Sequence, residues 1–368
     1  MSAPPVQSKA LGDLRARIDQ LDAQLLTLLS ERARVTEEVG ELKRREGSPL
    51  FRPDRVAQVI AKQQANNPGP LKGRHIEAIW REIMSACLAL EAQLTVAVLG
   101  PSGTFCEQAA LEYFGGGVDL TYCNSFDEVF HATAAGTAQF GVVGVENSTE
   151  GAVVRTLDLL RTTPTHIVGE VSLVVRHNLL TQAQKFDDIA AVLAHPQALM
   201  QCQGWLSEHL PRAERRAVSS NAEGARLAAD NPAWAALASE RAAARFGLPV
   251  AARAIQDQAH NRTRFAVICL PQTLPLPAAT GNDCTSLVVA VPNRAGSLYD
   301  LLAPLKKHGV SMSRLESRPV KSGQWEYYFY IDITGHPADP PVARALAELE
   351  TQCAFYKVLG AYPQAQNV

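Results

Sequence analysis

Residues 14–42, LRARIDQLDAQLLTLLSERARVTEEVGEL, carry the reading on which the fold turns. Leu14, Ile18, Leu21, Leu25, Leu28, Arg32, Val35, Val39 and Leu42 follow one another at alternating steps of four and three, the seam of a long amphipathic helix. Arg32 stands where an apolar side chain belongs. Burying a guanidinium is costly unless an anion pairs with it. Two readings follow: a rim arginine that snorkels to water, or a site for an anionic ligand inside a helix bundle. Along a helix rising about 1.5 Å per residue, Lys43 lies about 16 Å from Arg32, and Arg15 about 25 Å the other way. No small dianion spans those distances. Cations that share a ligand therefore need the helix, from about Leu11 to Arg45, to be met by a second copy. The expectation is a helical dimer whose sites draw residues from both chains.

Outward from this helix the texture stays helical to about residue 92. Breaks fall at Gly47-Ser48-Pro49 and at Asn66-Asn67-Pro68-Gly69-Pro70. From Thr95 short apolar runs alternate with helical segments: TVAVLG before a helix from Phe105, FGVVGVE before one from Val153, AAVLAHP before one from Gln197, AALAS before one from Glu240. Such alternation predicts parallel sheets flanked by helices, long enough here for two lobes, with His166–Leu180 crossing between them. A Pro-rich linker, PQTLPLPAATG, ends near Gly281. Beyond it the order strand (286–292), helix (296–307), strand (310–318), strand (324–333), helix (341–351), strand (354–359) predicts a ferredoxin-like βαββαβ domain. The domain boundaries expected are 1–92, 95–272, a linker at 273–282, and 283–364.

Composition bounds the partners. A formal net charge of −2 argues against nucleic acid or an anionic membrane as the main partner. Residues 1–9 lack the apolar run of a signal peptide, and no stretch is long enough to span a bilayer. The seven cysteines are scattered without a C-x-x-C pair, which fits a reduced, cytoplasmic protein without structural zinc.

In open parallel sheets ligands bind beyond the carboxyl ends of the strands. Polar clusters recur at those ends: Pro101-Ser102-Gly103-Thr104, Glu146-Asn147-Ser148-Thr149, His195-Pro196-Gln197, Ser219-Ser220-Asn221 and Ser239-Glu240. Each alone reads as a helix N-cap. Together they predict one polar crevice, to which Asn261-Arg262-Thr263-Arg264-Phe265 adds two cations. No P-loop, nucleophile elbow, dinucleotide fingerprint or metal-ligand spacing is present. An enzyme and a two-lobed binding protein are both open on this pattern.

These segments together resemble the bifunctional chorismate mutase–prephenate dehydratase family of phenylalanine biosynthesis over nearly the whole chain. The carriers are LRARIDQLDAQLLTLLSER, GPSGTF, VENSTEG, HPQ and NRTRF, then NRAGSLYDLL and RLESRP in the last domain. The resemblance implies a helical mutase domain, a two-lobed α/β dehydratase of the periplasmic-binding-protein type, and a C-terminal ACT domain. It implies no cofactor or metal. In the mutase, which performs a pericyclic rearrangement of chorismate, Arg15, Lys43 and Arg55 would come from one chain and Arg32 from its partner, with Cys87 and Glu91 beside them. In the dehydratase, acting on prephenate, Thr263 would assist departure of the hydroxyl. Asn147, Gln201 and Arg264 would orient the substrate, Glu146 would support the loop, and Ser102, Thr104, His195, Ser220 and Asn221 would line the site. The resemblance further implies that phenylalanine, the feedback inhibitor, binds at Asn293, Gly296, Ser297 and Leu298 together with Glu316, Ser317, Arg318 and Pro319 across a homodimer or higher homo-oligomer.

Several positions depart from the family pattern. Val56 replaces a glutamate, Glu91 a glutamine, Ala194 a serine and Cys106 a serine. A glutamate at 91 donates a hydrogen bond only when protonated, which apolar neighbours would favour. Val56 leaves open a dehydratase whose mutase-like domain serves dimerisation, and the two lobes with an ACT domain leave open a non-catalytic amino-acid sensor.

Overall fold

The computed structural model describes residues 9–291, 294–319 and 327–365. The heptad segment forms α1 (Lys9–Glu46), a helix of 38 residues closed by three cations in its last turn and by Gly47 at φ 66°. α2 (Pro53–Ala65) starts on a proline, which suits the first helical turn, and α3 (Gly73–Glu91) returns against α1. Gly40 is buried where the two helices touch: a Cβ there would lie 2.7 Å from Cγ of Glu91. The N-terminal part of α1 has no such cover. Leu14, Ile18, Leu21, Leu25 and Leu28 are all more than half exposed, an apolar seam without a partner among the described residues.

The first α/β lobe follows with β1 (Thr95–Leu99), α4 (Phe105–Phe114), β2 (Asp119–Cys123), α5 (Phe126–Ala134), β3 (Phe140–Asn147), β4 (Gly151–Ala152), α6 (Val154–Thr162) and β5 (His166–Val174). The chain then crosses into a second lobe. This comprises β6 (Asn178–Thr181), β7 (Ala191–Ala194), α7 (Pro196–Gln201), α8 (Gln203–His209), β8 (Glu214–Ala217), α9 (Asn221–Ala229), β9 (Trp234–Ala238), α10 (Glu240–Phe246) and β10 (Val250–Ala252). It returns as β11 (Arg262–Cys269), which lies between β3 and β5. Val96, Val98, Val142, Val267 and Ile268 are fully buried because helices cover both faces of the first sheet. The sheets are mixed rather than all parallel. β1 runs parallel to β2 and β3, but β11 is antiparallel to both its neighbours, because it re-enters from the other lobe. That reversal puts the start of β11 beside the end of β3.

The last domain comprises β12 (Asp283–Ala290), α11 (Ser297–His308), β13 (Met312–Pro319), β14 (Tyr327–Thr334), α12 (Pro340–Gln352) and β15 (Phe355–Pro363), in the ferredoxin-like strand order β13-β14-β12-β15. The strand expected over 324–333 is described only from Tyr327. The domain is not set apart by its linker. β15 runs past Leu359 and pairs in parallel with β5 at Gly360 and Ile167, so both domains share one ten-stranded sheet. Gly360 makes the seam possible, since a Cβ there would fall 2.1 Å from the carbonyl oxygen of Ile167.

Candidate active sites

Between the two lobes lies a cavity of about 870 Å³, open where β1, β3, β7 and β9 end. Asn147, Gln201, Thr263, Thr104, His195, Ser220 and Asn221 all line it. The caps predicted from sequence are present as well: Thr104 accepts from the Glu107 amide and Ser220 from the Glu223 amide. Asn221 Oδ1 accepts the His195 amide at 2.9 Å, tying two of the polar clusters together.

A polarised hydrogen-bond chain crosses the cavity floor. Asn147 Oδ1 accepts from the Thr149 amide at 3.0 Å, which fixes which way its side chain faces. Its Nδ2 then donates to Asn261 Oδ1 at 2.9 Å and to Thr263 Oγ at 2.8 Å. Asn261 Nδ2 donates onward to Gln201 Oε1 at 2.9 Å, and Gln201 Nε2 donates to Glu150 at 3.2 Å. Because Thr263 Oγ is an acceptor in this chain, its own proton is left for a bound ligand.

Three expected site residues fall outside the cavity. Along β11 side chains alternate, so Arg264 points away from the face that Thr263 occupies. Its guanidinium meets Asp332 at 2.6 Å and Glu170 at 3.7 Å. Burial works against its charge, but Asp332 and Glu170 outweigh that and hold its pKa above the ordinary arginine value. Glu146 likewise turns out, to Arg314 at 2.9 Å. Ser102 is not among the residues that line the cavity. Among the described residues, no Lys or Arg lines this cavity.

A second polar group lies within the helical domain. Arg32 Nη1 reaches Cys87 Sγ at 3.0 Å, and Lys43 Nζ lies 3.4 Å from Glu91 Oε2 and 2.9 Å from the Leu50 carbonyl. Arg32 and Lys43 of the same chain thus both contact α3, at Cys87 and Glu91, whereas the resemblance had implied Arg32 from the partner. Arg15, about 25 Å up the same helix, is the cation set apart. Glu91 is buried against an ammonium, not among apolar side chains alone. Arg55 is exposed. Val56 packs on the core cluster of the first lobe, so the residue that departs from the family pattern serves contact between domains.

Comparison with known proteins places the chain in a family. Family models match as chorismate mutase type II over residues 14–92, prephenate dehydratase over 96–273 and ACT domain over 285–351. The bifunctional chorismate mutase/prephenate dehydratase of Neisseria gonorrhoeae is 46% identical over 95% of this chain and 96% of its own length. That of Pseudomonas aeruginosa is 43% identical over 96% and 97%. This chain belongs to that bifunctional family. A crystal structure of prephenate dehydratase from Arthrobacter aurescens, in complex with L-Phe, superposes with a TM-score of 0.67 at 35% identity, over 74% of this chain and 90% of that one.

In this chorismate mutase/prephenate dehydratase the ACT motif residues are dispersed. Gly296, at φ 83°, caps α11, where Ser297 is buried and Leu298 exposed. Asn293 lies outside the described residues. β13 is an edge strand, and alternation divides its motif: Glu316 and Arg318 lie opposite Tyr330 and Tyr328, Ser317 opposite Phe329. No hydrogen bond joins the two motif segments among the described residues.

Two residues that sequence reasoning did not assign join the hydrogen-bond network of the cavity floor. Asn261 is the central link of the chain, and only its place in NRTRF hinted at it. His177 had no signal at all, being a single histidine between apolar runs. It lines the cavity, is 2% exposed, and its Nε2 lies 2.9 Å from Gln201 Oε1. Since that oxygen can only accept, His177 Nε2 carries a proton. Burial lowers its pKa, partly opposed by Gln201, so the ring is neutral and Nδ1 is bare, buried and unpartnered. Burial also pushes the Cys106 thiol up to about 12, leaving it un-ionised in the cavity wall. Glu107 is drawn the other way. Burial alone would raise its pKa, but hydrogen bonds from Arg241 of the second lobe, the Gly103 amide and Ser102 hold it below the ordinary carboxylate value. No helix among the described residues is long and apolar enough to cross a membrane.

Proposed function

We propose that Thr263 is the group that assists hydroxyl departure in the dehydratase reaction, in the cavity between the lobes. The observation that carries this is the 2.8 Å hydrogen bond from Asn147 Nδ2 to Thr263 Oγ. Prephenate takes up one proton and loses carbon dioxide and water as its ring becomes aromatic. The C–C bond to the ring carboxylate supplies the electron pair, and the hydroxyl leaves as water. An unassisted threonine is a poor hydrogen-bond donor to a developing hydroxide. Donation from Asn147 draws charge from Oγ, makes its proton more acidic, and points that proton at the substrate. Gln201 orients the substrate from the opposite wall, held by Asn261 and His177. With no cation among the described residues of the wall, the substrate carboxylates meet amides and hydroxyls around Thr104, His195, Ser220 and Asn221. Thr263→Ala should lower prephenate turnover at least about a hundredfold while chorismate consumption is retained. Near-normal turnover would remove Thr263 from the mechanism.

The mutase site is the group around Arg32, Lys43, Cys87 and Glu91, where cations hold the two carboxylates of chorismate in the folded conformer and stabilise charge on the ether oxygen. The bare seam from Leu14 to Leu28 supports a second copy packed along α1, which would bring the partner's Arg15 to the site. Phenylalanine is the effector of the ACT domain, which the L-Phe complex of the Arthrobacter enzyme supports. A cytoplasmic setting fits the seven free cysteines.

A further inference from the structure

The register of β3 and β11 pairs Thr263 with Asn147, and the next residues, Arg264 with Glu146. The first pair faces the cavity. The second turns to the opposite side of the sheet, where the ACT domain lies. There Arg264 meets Asp332 of β14 at 2.6 Å, and Glu146 meets Arg314 of β13 at 2.9 Å. Arg314 and Asp332 are themselves register partners across β13 and β14. Two residues of the regulatory domain thus grip the neighbours of the two residues that set the Thr263 proton.

We infer that Arg264 and Glu146 are positioning residues through which the ACT domain acts on the dehydratase site, and that phenylalanine slows dehydration by way of these two ion pairs. The inference rests on the assignment of Thr263 and Asn147 to that site.

The geometry suits transmission. Asp332 is 3% exposed and is also held by Ser286 Oγ at 2.6 Å, which in turn contacts the Tyr362 hydroxyl at 2.7 Å. The Arg314 side chain is 11% exposed. Charge-assisted pairs of this kind are directional; the Glu146 side chain is 36% exposed, so its pair with Arg314 is partly screened, and the Arg264–Asp332 pair is the stronger link between the domains. Glu316 and Arg318 of the RLESRP motif stand two and four residues further along β13, on the same face as Arg314. A ligand that draws on that strand reaches Glu146, and hence Asn147, within one strand crossing. Misplacement of a reacting group by about 1 Å can cost about a hundredfold in rate, so a small shift suffices.

The test uses the full-length enzyme, with prephenate turnover and phenylalanine binding by calorimetry measured on each variant. The variants are Arg314→Met, Asp332→Asn, and the exchange Glu146→Arg with Arg314→Glu, singly and together. Arg314→Met and Asp332→Asn are expected to bind phenylalanine within about threefold of the wild type but to keep most of their own rate at saturating phenylalanine. The exchanged pair is expected to recover inhibition that each single exchange loses. Inhibition as deep as in the wild type in both Arg314→Met and Asp332→Asn would overturn the inference. So would loss of phenylalanine binding in all variants, the mark of a merely structural role. A wild-type enzyme indifferent to phenylalanine would fail the effector assignment itself, whereas an active Thr263→Ala enzyme would fail the site assignment.

Discussion

Replacing Asn147 by aspartate tests the direction of the hydrogen-bond chain with almost no change in shape. In the native site Nδ2 gives one proton to Thr263 Oγ and one to Asn261 Oδ1, at 2.8 and 2.9 Å. A carboxylate gives neither. Thr263 would then donate its own proton to the new carboxylate, a charge-assisted bond worth about 1.5–3 kcal/mol that must be broken before the proton can serve the substrate. The polarising bond lost from Oγ adds about 1 kcal/mol. Asn261 would face acceptor to acceptor unless its amide turned, which would break its bond to Gln201 Oε1. Together these amount to roughly 3–4 kcal/mol in the transition state, or a fall of roughly a hundred- to a thousandfold in prephenate turnover. The assay is phenylpyruvate formation at neutral pH, with chorismate consumption on the same preparation as the measure of intact folding. Activity should rise again as the pH is lowered, because the introduced carboxyl, once protonated, can again donate to Thr263. An Asn147→Asp enzyme within about tenfold of wild type at neutral pH would refute the reasoning, since Thr263 would not need its donor.

Three other outcomes are expected. His177→Leu removes the donor that holds Gln201 and should lower kcat about tenfold or more, whereas His177→Gln, which can still donate near the Nε2 position, should retain most of the rate; equal losses would deny the positioning role. Gly40→Ala forces a Cβ to within 2.7 Å of Glu91 Cγ, so chorismate consumption should fall while prephenate turnover holds, and an unchanged mutase rate would mean that Glu91 is free to move. Glu107 has a lowered pKa in the folded chain, so its stabilising effect is present above the unfolded carboxylate value of about 4.3 and is lost as the pH falls through the folded value. Glu107→Gln should therefore lower Tm at neutral pH and flatten its fall on acidification, an effect reduced by the exposure of Arg241; parallel Tm curves for the two proteins would rule this out.

Much of the dehydratase site was legible because its residues are local events in the chain. A helix N-cap after a strand is written in adjacent residues, so Thr104, His195, Ser220 and Asn221 could be placed at strand ends before any contact was known. Thr263 and Asn147 came through the motifs NRTRF and VENSTEG. The sidedness of Arg264 and Glu146 did not. Alternation along β11 and β3 says that they face away from Thr263 and Asn147, but not that another domain waits there with Asp332 and Arg314. His177 escaped for a related reason, since its partner Gln201 lies 24 residues further along the chain and no periodicity connects them.

The long helix, the order of three domains, the strand–cap–helix units and the family are all readable from the chain of residues, because each depends on patterns within a few turns or strands. Folding in three dimensions was needed to show that Arg32 and Lys43 both reach α3 of their own chain, that β11 runs against its neighbours, and that the regulatory sheet is fused to the catalytic one through Gly360. These are long-range pairings. They depend on which surfaces meet after the local elements have formed, and on a close approach that a missing Cβ permits at Gly360 but does not announce.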